Sequence, residues 1–133
     1  MNDIALGPGG GRRPEREGPL LEEISRRVVQ LYKESYGRGP TKARTYWEDD
    51  VITVVVRGGF TPDERTLRDA GRGEAVLEHR VQFQEAMRAR FREEVEQLTG
   101  RSVIGVMSGV QVDEPEMAAQ VFVLEPVPEA ATD

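Results

Sequence analysis

Apolar positions along the chain follow two periods, one helical and one extended. Leu20 or Leu21, Ile24, Val28, Leu31 and Tyr32 recur every three or four residues, which predicts an amphipathic helix from about Pro19. Gly37, Gly39 and Pro40 stop it, because glycine accepts the backbone of a helix end and proline cannot continue one. The period then changes to two. Ala43, Thr45 and Trp47 alternate with Arg44 and Tyr46, Asp49-Asp50 supplies a turn, and Val51 to Val56 form the return strand. The ITVVV run is apolar at successive positions, so burial of both its faces is expected.

Thr61-Pro62-Asp63-Glu64 predicts a helix start. Thr61 caps, Pro62 suits the first helical position, and Glu64 completes a capping box. Gly71 and Gly73 keep that helix short. A long helix follows from about Glu74 to Thr99, with Phe83, Met87, Phe91, Val95 and Leu98 along one face and Val76, Leu77 and Val81 widening it. About 26 residues at roughly 1.5 Å each make a rod near 39 Å. Its outer face alternates acid and base through Arg80, Glu85, Arg88, Arg90, Arg92, Glu93, Glu94 and Glu96, the pattern of a solvated surface with local ion pairs. Gly100 ends the rod, and two strands close the chain, Val103 to Val112 and Ala119 to Leu124.

The order α-β-β-α-α-β-β predicts an α+β two-layer sandwich, a small and mostly antiparallel sheet covered on one face by helices. The last strand again carries apolar residues on both faces, Val121 and Val123 on one, Phe122 and Leu124 on the other. Helices on one side leave the second face open. A homodimer that buries it, or pairs along the long helices, is the expected remedy. Residues 19–125 read as the single domain. The Gly/Pro/Arg-rich residues 1–18 and the closing residues 126–133 read as disordered tails.

Composition narrows the function classes. The 133 residues carry a net charge of -6, which opposes a generic nucleic-acid footprint, and Tyr46 and Trp47 beside Arg44 do not make an RNA-binding aromatic pattern. With no cysteine and one histidine, His79, thiol catalysis and a zinc site are not expected. No metal, no cofactor and no enzymatic activity are expected. The N-terminal stretch lacks the apolar core of a secretory signal, and no window approaches the roughly 20 apolar residues of a membrane span. A cytoplasmic chain without direct membrane insertion is expected.

One stretch offers binding chemistry. In GRGPTKAR, flexible backbone lies beside Arg38, Lys42 and Arg44, and Arg57 is expected across the hairpin. These four residues are the candidate anion or nucleotide site. The stretch is not a P-loop, because it follows a helix and enters a strand, so no helix N-terminus points at the anion. The acidic runs Glu48-Asp49-Asp50 and Asp113, Glu114, Glu116 read as turns. His79 reads as a helix-surface residue, and Ser108 has no acid-base partner in sequence.

GRGPTKARTY, the doublet DD, VITVVVRGGFTP, LTGRSVIGV and VFVLE occur in an order and spacing that resembles the MpsC-like (YbcI-like) family, over roughly Leu20 to Glu125. That family is named for a sodium-translocating, membrane-potential-generating system. The resemblance implies a small cytosolic domain linked to membrane proteins for ion or inorganic-carbon uptake, and peripheral association with an integral membrane transporter. It implies no catalytic set. Where family members often carry a histidine-serine-aspartate stretch, this chain has Met107-Ser108-Gly109. Metal or proton chemistry at that stretch is therefore not expected.

Overall fold

The computed structural model describes residues 17–128. Seven elements follow the expected order: α1 (Glu17–Tyr36), β1 (Lys42–Glu48), β2 (Val51–Arg57), α2 (Pro62–Asp69), α3 (Gly73–Thr99), β3 (Val103–Gln111) and β4 (Met117–Leu124). Helix α1 begins two residues before Pro19, which falls in its first turn, where the N–H that proline lacks would be unpaired in any case. Of the residues read from the sequence as tails, 1–18 and 126–133, residues 1–16 and 129–133 lie outside the described residues, and Glu17 and Gly18 instead form the first residues of α1. The fully antiparallel sheet has the order β1-β2-β4-β3, so the second hairpin docks its last strand in the centre against β2.

One face of this sheet carries the core. Ile52, Val54 and Val56 of β2, Phe122 and Leu124 of β4, and Val103 and Val106 of β3 pack against Leu21, Ile24, Val28 and Leu31 of α1 and Phe91 and Val95 of α3. Tyr32 sits among Phe83 and Phe91, with ring centroids 5.3 and 5.9 Å away, separations at which tilted aromatic pairs attract. Gln120, fully buried on β4, donates to the Tyr32 hydroxyl at 2.7 Å, and Gln84 of α3 donates to the Gly109 carbonyl at 2.9 Å. These bonds tie the sheet to both long helices and offset part of the cost of burying polar groups.

Two expectations need correction. β2 is buried on one face only: Thr53 and Val55 remain half-covered and Val51 is exposed, because all the helical cover lies on the other side. Arg80 does not belong to the outer charged face of α3. It is 4% exposed and lies on the inward stripe Val76, Arg80, Gln84, Phe91, Val95, while Leu77 and Val81 are exposed.

The local signals at the helix ends are all used. Thr61 accepts from the Glu64 N–H at 3.3 Å and the Glu64 carboxylate accepts from the Thr61 N–H at 2.9 Å, a complete capping box. Gly37, at φ 80°, ends α1, where its N–H bonds the Lys33 carbonyl at 2.9 Å. Gly59 has φ 86°, and a Cβ there would lie 2.8 Å from the Pro40 backbone. The turn GRGP is thus packed backbone to backbone against the loop after β2. Its glycines serve chain crossing and helix termination.

Candidate functional site

The face of the sheet turned away from the helices is left uncovered by the described elements. Strand register orders its residues into four cross-strand rows. The first is Lys42, Arg57, Met117 and Gln111; the second Arg44, Val55, Ala119 and Gly109. The third is Tyr46, Thr53, Val121 and Met107; the fourth Glu48, Val51, Val123 and Gly105. The centre is apolar and half-covered, Met107 is 56% exposed, and a bulge between Val103 and Gly105 leaves Ile104 exposed beside it. Tyr46, Val51, Ile104 and Met107 are large apolar side chains left exposed on it.

One end of that face is basic. Lys42, Arg44 and Arg57 line an open hollow of 710 Å³ with Thr41, Ala43, Tyr46 and Val55. Among the described residues no carboxylate pairs with these three cations, and the Arg44 guanidinium lies 5.6 Å from the Tyr46 ring centre. Lys42 stands directly opposite Arg57, an arrangement of like charges that weakens a strand pair. A negative group from outside would relieve that repulsion. Arg38 is not part of this hollow. It donates a long bond of 3.4 Å to the Phe60 carbonyl, on the α2 side of the fold. Of the four residues singled out in the sequence, the structure gathers Lys42, Arg44 and Arg57 and leaves Arg38 apart.

The opposite end is acidic. Glu48 is exposed, Asp49 takes φ 54° at the tip of the β1–β2 turn, and Asp50 pairs with Arg101 at 3.1 Å. The Trp47 indole donates to the Asp49 carbonyl at 2.9 Å, on the other side of the strand from Tyr46. These carboxylates form a turn, as expected. Among the described residues no three His, Asp or Glu side chains are placed to hold a metal. His79 is an exposed residue of α3, edge-on to Tyr36 at 6.1 Å, and Ser108 borders a 220 Å³ hollow on β3.

The ion pairs that matter for stability lie elsewhere and escaped the sequence reading. Arg80 donates to both oxygens of Glu64, at 2.8 and 2.6 Å, with its guanidinium 3.8 Å from the Tyr36 ring centre and 4.1 Å from that of Phe60. Glu116 is not a simple turn residue: its buried carboxylate accepts from Arg65 at 3.0 Å and Arg68 at 2.8 Å. Burial pushes the Glu64 carboxyl up, but its bonds from Arg80 and Thr61 outweigh burial and hold it below its ordinary 4.5. Burial likewise opposes, and Arg68 and Arg65 overcome, at Glu116. Burial pushes Tyr36 up to about 12, so its phenol stays neutral.

Lowered carboxyl pKa values stabilise the fold above the unfolded value and lose that contribution as pH falls through the folded one. The thermal midpoint is therefore expected to be flat from neutrality to about pH 5 and to fall steeply below about pH 4.5. Glu64→Gln should flatten that fall while lowering the neutral midpoint. A variant that loses as much between pH 5 and 3 as the wild type would remove Glu64 from this account.

The candidate site is thus a basic corner at one end of an open sheet face. The sequence model described as "Na+-translocating membrane potential-generating system (MpsC)" matches residues 16–126. The chain belongs to the MpsC family. Neither the curated proteins nor the solved structures give a match. In this MpsC-family chain, no described helix is long and apolar enough to cross a membrane. The MpsC match takes in all seven elements, including both ends of the open sheet face.

Proposed function

We propose that this chain is a non-enzymatic, cytoplasmic accessory module, working as a homodimer, that associates with or regulates the membrane-embedded part of a sodium or inorganic-carbon transport system. The observation that carries the reading is a mismatch: the family is named for moving Na+ across a membrane, yet no described helix can span one. Moving an ion through a bilayer requires a spanning structure with satisfied backbone and protected polar groups. A module of this shape contributes through a partner. The open sheet face and the basic corner, whose three cations have no carboxylate partner among the described residues, supply contact surface.

The test is co-purification from native membranes, with and without Na+ and bicarbonate. Retention of an integral membrane protein above control is expected. Recovery of the chain with no such protein, in every condition, overturns the reading.

A second reading rests on the hollow itself: Lys42, Arg44 and Arg57 surround a space that accommodates a small anion or the phosphates of a nucleotide. Millimolar bicarbonate, phosphate or nucleotide should then raise the thermal midpoint of the wild type and leave Lys42→Ala unmoved. No shift with any of them removes this reading.

A further inference from the structure

We infer that the open sheet face binds a second copy of this chain with its strands reversed, so that the basic end of one copy lies on the acidic end of the other. This deepens the dimer in the function proposed above and rests on it.

The inference follows from how the rows are distributed. Face-to-face pairing of identical sheets requires a two-fold axis in the plane between them. With the axis along the strands, Lys42 would lie over the partner's Gln111, and Glu48 would lie over the partner's Gly105, by the observed register. Charges at both ends would then be covered without counter-charges, which is costly. With the axis across the strands, the first row lies on the fourth and the second on the third. Lys42 then meets the partner's Glu48, and Arg44 meets the partner's Tyr46, whose ring already attracts a guanidinium within one chain.

Shape selects the same arrangement. In the reversed pairing Met107 lies over the partner's Gly109, at rows three and two of β3. Met107 projects into solvent, and a Cβ added at Gly109 would meet nothing within 4 Å, so a projection faces a hollow on both sides of the axis. Val121 likewise meets the partner's Ala119, two half-covered apolar residues that gain from a dry neighbour, and Val55 meets the methyl-bearing Thr53 of the partner subunit. The repulsion between Lys42 and Arg57 is relieved by the same contact. Four strands about 4.8 Å apart and seven residues at about 3.3 Å span roughly 400 Å² of sheet per copy. Such an interface is small, so a concentration-dependent dimer is expected.

Sedimentation of the full chain at up to roughly 100 μM, a range that covers small interfaces, is the test. Lys42→Glu and Glu48→Lys are both at exposed positions and should each fold, with circular dichroism and thermal midpoints confirming it. Each alone places like charges twice in the interface and is expected to weaken dimerisation tenfold or more. Mixed one to one, the two variants should form a heterodimer of wild-type strength, because every reversed contact is then opposite in sign. Met107→Glu should also yield a folded monomer.

The outcomes separate. A wild type that stays monomeric overturns the dimer in the proposed function. A wild-type dimer that is indifferent to Met107→Glu, or weakened by the charge variants with no rescue on mixing, keeps the dimer and overturns the reversed sheet pairing.

Discussion

Arg80→Met is expected to cost the fold about 3–5 kcal/mol, the loss typical when one partner of a buried ion pair is removed. The Arg80 guanidinium sits between the Tyr36 and Phe60 rings and donates twice to Glu64. Methionine keeps much of the apolar contact but leaves the Glu64 carboxylate buried without its counter-ion. Glu64 also closes the capping box at Thr61, so the loss extends to the start of α2. In a domain of this size the thermal midpoint should fall by roughly 10 °C or more. Arg80→Lys should fall between the two, since an ammonium cannot reproduce the two-pronged bond or lie flat between rings. The double variant Glu64→Gln with Arg80→Met should recover part of the loss. A single Arg80→Met variant within about 1 kcal/mol of wild type in urea denaturation would show the pair to be effectively solvated.

Phe91→Ala is expected to cost a similar amount, about 3–5 kcal/mol, by a different mechanism. Phe91 is fully buried on α3 where the helix meets Tyr32 and the sheet. Truncation leaves a cavity beside Tyr32 of α1 and Phe83 of α3, and such a cavity collapses only in part. Phe83 lies on the same helix and touches the same rings, with centroids 4.9 Å from Tyr36 and 5.3 Å from Tyr32, but it is only half-buried. Phe83→Ala should therefore cost about half as much, in proportion to the smaller area withdrawn from water. Equal losses for the two variants, measured by chemical denaturation with unchanged slope, would place the core differently along α3.

The parts of the fold that were legible are those decided by short-range physics. The capping box at Thr61 was readable because its four residues satisfy one another's backbone groups with no help from the rest of the chain. The hairpins were readable because alternation and turn residues act over a few positions. Arg80 was not. Its spacing from Val76 and Gln84 places it on the inward stripe of α3, but an arginine among charged neighbours reads as surface unless its partner is known. That partner, Glu64, is 16 residues away on another helix. Glu116 was misread for the same reason: Arg65 and Arg68 come from α2, about 50 residues earlier in the chain.

The candidate site divides along the same line. Lys42, Arg44 and Arg57 could be grouped from sequence because a two-residue turn forces their strands into register. Arg38 was wrongly grouped with them because proximity in sequence does not survive the helix end at Gly37 and the crossing at Pro40, which send it toward Phe60. The two-sided apolar strands told that apolar side chains also lie on the second face. They did not tell which residues share that face across four strands, since the order β1-β2-β4-β3 sets β4 beside β2 and so places Val121 and Ala119 next to Thr53 and Val55. By itself, then, the sequence determined the elements, their order and the presence of apolar residues on both faces of the sheet, all consequences of local spacing, and its match over residues 16–126 gave the family. Only the tertiary structure decided which charges are buried in pairs and which lie at opposite ends of one face, because charge pairing depends on distances between residues far apart in the chain.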